Sequence, residues 1–437
     1  MARRTQTQRL NIYLNARSVG RIEKAGSGAV SFVYDTDWVA WEGAMPVSIS
    51  LPLSEEVFRG QQVVNVFENL LPDADRVRRN VAERLGAEGV DAFSLLAVTG
   101  RDCVGALQFL SPDDTPGAAG EVTGTVMSEA GIAALIRGLH VNPLGLDPED
   151  DAFRISIAGA QDKTALLKKD GVWCRPTGTT ATTHILKPAI GVIQNEIDLT
   201  DSVQNEYVCL KLCALLGLDV AEAEIAEFED QLALSITRFD RLWTQDGRLL
   251  RLPQEDFCQA LSVPSTRKYQ NEGGPGVLDI LDRLKESDRA NEDRYAFFKA
   301  QVVFWLLGAT DGHAKNFSIA LQPGGGFWLT KLYDVLTTQP VVDAGRISQN
   351  QFKLAMSLGD RNRYQVNQIA RRHFEQTAGA AGLPKGTVEN ICAELDEAVP
   401  IALEALGALV DNTVPEAIVE SIGCGMRTRL AALNIHE

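Results

Sequence analysis

The chain has 437 residues, 45% of them hydrophobic and 23% charged, a soluble composition too long for one ordinary core and suited to two or three domains. Its 42 Lys and Arg against 58 Asp and Glu leave a net charge of −16. That balance is the reverse of the basic face with which a protein grips DNA or RNA by itself, and it favours a basic protein partner or a ligand whose charge is handled locally.

No run approaches the ~18 apolar residues of a membrane span, and the start, Met1-Ala-Arg-Arg-Thr-Gln-Thr-Gln-Arg9, lacks the apolar stretch of a secretion signal. Seven scattered Cys without a Cys-x-x-Cys argue against a disulfide framework, and five far-apart His argue against a structural zinc site. A cytoplasmic protein with reduced thiols is expected.

In chain order, residues 10–14, 20–22, 30–34 and 47–51 read as short strands, with alternation that suits half-buried antiparallel sheet. Helical patterns follow at 63 onward, 77–85 and 93–98, then a strand at 105–110, a loop at 111–124 and a helix at 128–139. A boundary is expected at about 140–150, in Asn142-Pro-Leu-Gly145 and Pro148-Glu-Asp-Asp151. It divides an N-terminal domain of residues 1–145, which shows no catalytic constellation, from residues 146–437.

The second segment is richer. Phe153, Ile155 and Ile157 alternate with Arg154 and Ser156, as in a strand with one buried face, so Ser156 should point outward. Next comes a loop of small residues formed by Ala158, Gly159, Ala160, Gln161, Asp162 and Lys163. A hairpin turning at Asp170-Gly171 leads to a third strand, Thr183-His-Ile-Leu-Lys187. Small residues let backbone N–H groups approach phosphate oxygens, and a strand lysine adds a point charge. Glu206 opens a helical run in line with Leu210, Cys213 and Gly217, a core-facing stripe on which a carboxylate needs a partner such as that lysine.

A strand at 232–236 leads out through Thr237-Arg-Phe-Asp-Arg241. Residues 252–276, with Gly273-Gly-Pro-Gly276, read as a long, mostly irregular loop of the lid or substrate kind. A buried helix then ends at Gly308, and a polar loop carries Asp311, His313, Lys315 and Asn316. The Asp–Asn spacing is that of the kinase catalytic loop. Residues 317–321 and 327–332 should form a hairpin; with Leu321 facing Phe327, Asp334 arrives beside Asn316, an oxygen-rich pairing suited to Mg²⁺. Beyond residue 350 the pattern is helical, at 364–377, 386–397, 401–409 and 415–422. Arg361, Arg363, Arg371 and Arg372 form a local basic patch.

Together these segments resemble the HipA family of serine/threonine-protein kinase toxins from toxin–antitoxin modules. The motifs are Phe153-Arg-Ile-Ser-Ile-Ala-Gly-Ala-Gln-Asp-Lys-Thr164, Thr183-His-Ile-Leu-Lys187, Asn205-Glu-Tyr207, Arg238-Phe-Asp-Arg241, Leu252-Pro-Gln-Glu-Asp256, Gly273-Gly-Pro-Gly276, Gly308-Ala-Thr-Asp-Gly-His-Ala-Lys-Asn-Phe317 and Tyr333-Asp334. The resemblance implies an α+β fold: an N-terminal mixed, β-rich domain packed on a protein-kinase-like core (sheet-rich lobe about 146–240, helical lobe about 241–437) with a helical end.

By the same resemblance, ATP and Mg²⁺ are the cofactors, Asp311 is the catalytic base, and Asn316 and Asp334 are the metal ligands. Lys187 contacts the phosphates, residues 158–163 form the phosphate loop, and Arg238 and Phe239 lie at the adenine hinge. Glu206, His313 and Tyr333 complete the nucleotide site. Thr237 departs from the acidic residue expected before Arg-Phe. Ser156 matches the serine whose autophosphorylation expels the phosphate loop. The implied partners are a HipB-like DNA-binding antitoxin, operator DNA through it, and glutamyl-tRNA synthetase as substrate. Two other readings stay open: a corepressor module with dispensable kinase activity, and a small-molecule kinase on the same core.

Overall fold

A computed structural model describes residues 7–147, 149–150, 153–193, 197–409 and 413–435. The chain divides into two compact units: residues 1–188, 226–266 and 319–326, and residues 189–225, 267–318 and 327–437.

The first unit carries two sheets. One is antiparallel, in the order Phe58–Arg59, Val30–Tyr34, Arg17–Lys24, Gln8–Leu14, Leu107–Leu110. Alternation along Gln8–Leu14 buries Leu10, Ile12 and Leu14, so one face becomes core. The rings of Phe32, Phe67 and Phe109 meet edge to face there, at 5.7 and 5.5 Å. The expected strand at 47–51 is instead a turn closed by a Ser48–Leu51 bridge. The Tyr34 hydroxyl pins it, donating to the Leu51 carbonyl at 2.5 Å and accepting from the Val47 N–H at 2.9 Å. Pro46 and Pro52 flank the turn, and neither can donate to a ladder.

The second sheet runs Ala223–Phe228, Gln231–Thr237, His184–Pro188, Thr164–Lys169, Val172–Pro176, Gly124–Val126. Strand Gly124–Val126, which starts at the end of the stretch expected as loop, pairs with Val172–Pro176. Helix Glu129–Gly138 buries Ile132, Ala133 and Ile136 against Leu166, Leu186, Phe228 and Ala233 of the same sheet. Residues 124–138 thus belong by packing with the later strands, although they precede the expected boundary. Pro148 and Asp151 of that boundary lie outside the described residues, as do residues 1–6 of the start.

Helices dominate the second unit: Ser202–Leu215, Val277–Arg283, Ala290–Leu307, Arg371–Ala381, Thr387–Leu409 and Glu416–Leu433. Ala290–Leu307 is its axis, since every residue from Phe297 onward is buried. Trp305 and Phe298 both meet Phe374 edge to face. The helix expected at 364–377 begins later, because Arg363–Gln365 pairs as a strand with Lys353–Leu358. The two helices expected at 386–397 and 401–409 are one, running through Pro400. Val388, Ile391, Leu395, Val399, Ala402 and Leu406 form an unbroken buried stripe, and that burial outweighs the ~3 kcal/mol cost of an interior proline. Among the described residues, no helix is long and apolar enough to cross a membrane.

Candidate active site

Ala290–Leu307 stops because Gly308 takes a left-handed backbone (φ 68°) and its N–H and that of Ala309 close on the Trp305 and Phe304 carbonyls. From another helix, Arg429 donates Nε to the Leu306 carbonyl at 2.9 Å and a guanidinium N–H to Gln339 Oε1 at 2.7 Å. Burial pushes this guanidinium down to about 10. The start of the polar loop is therefore held from both sides.

Within the loop, Asn316 donates Nδ2 to the backbone carbonyl of Asp311 at 2.7 Å, and its own N–H bonds the His313 carbonyl at 2.9 Å. The first bond uses the amide nitrogen, so Asn316 Oδ1 is left as an acceptor. Gly312 is required by close approach: a Cβ there would lie 2.5 Å from the Phe304 ring. His313 and Asn316 are each 3% exposed, whereas the Asp311 side chain is 53% exposed. An exposed acid rising from a buried, hydrogen-bonded loop is a geometry for meeting an outside hydroxyl.

The expected hairpin forms in the expected register: Gln322 N–H bonds the Gly326 carbonyl, and Thr330 N–H bonds the Ser318 carbonyl. Past Thr330 the chain leaves the hairpin, and Leu332 bonds instead to Asp219 and Ala221. Tyr333 reaches back, donating to the Lys315 carbonyl at 2.8 Å, with its oxygen 2.6 Å from Ser318 Oγ. Asp334 follows with φ 59°, a left-handed backbone uncommon for a residue with a side chain and enriched at functional sites. Glu206 lies in the second turn of Ser202–Leu215, since that helix starts four residues before it. It is 2% exposed. Ser202 to Glu206 are all buried. Its neighbour Asn205 holds Thr337 through both backbone groups, at 2.9 and 3.1 Å.

The other candidates lie in the first unit. Lys187 is 5% exposed, on the strand between Thr164–Lys169 and Gln231–Thr237 and opposite Leu234. The small-residue loop is tied at both ends: the Gly159 carbonyl accepts from Asp73 N–H at 3.1 Å, and Gln161 Nε2 donates to the Pro188 carbonyl at 2.9 Å. Gly159 has φ 109°, and Lys163 Nζ folds over it onto the Ala158 carbonyl at 3.0 Å. A Cβ at Gly159 would stand 2.4 Å from that ammonium. Ala160 is exposed and Asp162 half-buried.

One expectation needs correction. Ser156 does not point outward: it is 0% exposed and donates to the Leu70 carbonyl at 2.9 Å. Ile155–Ser156 is a two-residue strand, parallel to Asp102–Cys103 and covered on both faces, so the alternation rule that assumed one wet face does not apply. Arg238, expected at the hinge, is 4% exposed, and its guanidinium is turned onto buried carboxylates. Only its backbone N–H closes the strand exit, on Thr183 at 2.8 Å, and Phe239 is half-buried.

The Arg238 guanidinium belongs to a buried cluster that sequence reasoning missed. Asp102 and Asp240 are held by Arg238, Arg241 and Arg251, at 2.7–3.3 Å. Burial alone would raise the Asp102 carboxyl, but Arg241, Arg251 and Arg238 together hold it well below the usual carboxylate range. The signal was available: an Arg-x-Asp-Arg run at a strand exit carries more charge than a hinge uses.

As to metal, among the described residues no three His, Cys, Asp or Glu side chains gather as a protein cage would. Mg²⁺ usually takes one or two protein oxygens and completes its shell with phosphates and water. Asn316 Oδ1, left as an acceptor by the loop's hydrogen bond, and the Asp334 carboxylate have that oxygen chemistry.

Fold and candidate residues define an α+β protein whose chemistry-bearing groups stand on a sheet-rich and a helix-rich unit. Models described as the HipA N-terminal domain and the HipA-like C-terminal domain match residues 10–110 and 155–403. The chain belongs to the HipA family. A putative kinase of Sinorhizobium fredii is 34% identical over 98% of this chain and 99% of its own length. The serine/threonine-protein kinase toxin HipA of Shewanella oneidensis is 26% identical over 91% of this chain and 89% of that protein. In solved structures, the fold matches a chain of the Shewanella oneidensis HipA, HipB and operator DNA complex with a TM-score of 0.79, at 21% identity over 97% of both chains.

Proposed function

We propose that the protein is an ATP- and Mg²⁺-dependent serine/threonine-protein kinase acting as the toxin of a toxin–antitoxin pair. The observation that carries this reading is the Asn316–Asp311 hydrogen bond. It ties the backbone of Asp311, whose carboxylate is exposed, to Asn316, whose amide oxygen stays available as an acceptor, in one turn.

In this reading Asp311 accepts the proton of the incoming serine hydroxyl. Asn316 Oδ1 and Asp334 hold Mg²⁺, which screens the phosphate charge when bound. Lys187 and the backbone N–H groups of residues 158–163 bind the phosphates, and Glu206 is a further nucleotide-site residue. Phe239 and the hinge backbone receive the adenine, and His313 and Tyr333 shape the Asp311 loop.

The acceptor would be a protein serine, with glutamyl-tRNA synthetase the first candidate. A second acceptor is Ser156 itself. Its hydroxyl is fully buried, and a dianionic phosphate cannot stay there unpaired. Modification would therefore pull the strand and the following phosphate loop out, silencing the enzyme. The antitoxin would be a basic, HipB-like DNA-binding protein that meets a chain of net charge −16 and brings operator DNA with it, within the cytoplasm.

Growth measures this directly. Induced wild-type protein should arrest a culture, co-expressed antitoxin should relieve it, and Asp311→Asn should be harmless. Equal arrest by both forms would favour a corepressor or binding role over a kinase one.

A further inference from the structure

The stretch expected as a lid contains a feature that neither the motifs nor the proposed roles use. Tyr269 donates its hydroxyl to Asp311 Oδ1 at 2.5 Å. Its ring stands edge-on to His313, with centroids 4.9 Å apart and planes at 85°. His313 Nε2 lies 3.9 Å from the same Asp311 oxygen. The surrounding loop is built to present this tyrosine. The Tyr269 carbonyl accepts from both Glu272 and Gly274 N–H at 3.0 Å, and Gly273 turns left-handed (φ 88°). A Cβ on Gly274 would lie 2.0 Å from the Arg267 carbonyl. Next to it, Gln270 Oε1 accepts the Ser357 N–H at 2.7 Å, and the Lys268 carbonyl faces Ala314 N–H at 3.4 Å.

We propose that Tyr269 is a positioning residue for Asp311: its hydroxyl fixes one carboxylate oxygen so that the other faces the incoming acceptor hydroxyl. This rests on the reading of Asp311 as the base. Asp311 needs such a partner because its side chain is half exposed, and a solvated carboxylate samples several rotamers. A hydrogen bond to an ionised acceptor is among the stronger ones a side chain makes. Orientation of the base by a third group is the usual logic of such sites. The Gly273-Gly-Pro-Gly276 motif then serves to hold Tyr269 in place.

The test compares wild type, Asp311→Asn, Tyr269→Phe, Tyr269→Ala and the Asp311→Asn/Tyr269→Phe double variant. Two quantities are read: the rate of labelling of cell-extract protein at saturating γ-labelled ATP, and the affinity for a fluorescent ATP analogue. Tyr269→Phe keeps the ring against His313 and removes only the hydroxyl. Its labelling rate should fall roughly ten- to a hundredfold, the size expected for a misplaced catalytic group, with nucleotide affinity unchanged. The double variant should be no slower than Asp311→Asn alone. A Phe variant as fast as wild type while Ala fails would reduce Tyr269 to packing and overturn the proposal. A faster Phe variant would do so as well, marking the hydroxyl as an occupant of the acceptor's place. Undiminished labelling by Asp311→Asn, or none by wild type, would fell the underlying kinase reading instead, and the inference with it.

Discussion

Asp102 shows what a single charged side chain does in this fold away from the candidate chemistry. Three guanidiniums and two carboxylates share its buried cluster, so removing Asp102 leaves three cations to one anion. Asp102→Asn should destabilise the protein by about 3–5 kcal/mol, as breaking a buried pair does, and chemical denaturation would read it. Because the folded pKa is depressed, the Asp102 contribution is present above the ordinary carboxylate value of about 4 and is lost as pH falls further. In the variant, the acid side of the stability profile should flatten. Gly312 carries a second prediction. Gly312→Ala places a methyl 2.5 Å from the Phe304 ring, and overpacking of this kind costs about 1–3 kcal/mol. It should also shift the Asp311 loop enough to depress phosphate transfer, measured with labelled ATP.

At the scale of elements, the helix Thr387–Leu409 makes the sharpest claim. Pro400 is exposed within it, so its cost is not repaid by contacts of its own ring. Pro400→Ala should raise stability by about 2 kcal/mol: the ~3 kcal/mol helix penalty less the stiffness proline gives the unfolded chain. An unchanged denaturation midpoint would show that the helix bends to absorb the ring. Elements also show what the sequence could disclose. The 317–332 hairpin register was legible because alternation and a Pro-Gly-Gly-Gly turn specify it locally. Asp311 and Asn316 were legible because their spacing falls between two strongly patterned elements. The outward placement of Ser156 failed because two residues of parallel strand depend on Asp102–Cys103, some fifty residues away in sequence. The Arg238 cluster was half legible: the Arg-x-Asp-Arg run shows surplus charge and carries Asp240, but the second anion, Asp102, comes from a distant segment. Pro400 misled in the other direction, since local propensity lost to a long buried stripe.

For the whole molecule, a net charge of −16 predicts how the proposed antitoxin should behave. Association with a basic antitoxin should slow as salt is added, chiefly through the on-rate, because steering between opposite charges is screened within about 10 Å at 0.1 M. Stopped-flow association over a range of ionic strength would check this, and a salt-independent rate would point to an apolar interface instead. The central claim, however, is that the exposed carboxylate of a rigid loop takes a proton while phosphate moves. Its most direct measurement is incorporation of labelled γ-phosphate into protein by purified wild type and Asp311→Asn, with matched thermal melts to confirm equal folding. Wild type should transfer phosphate, and the variant should lose at least a hundredfold, at the lower end of general-base effects. Equal transfer by both would contradict it.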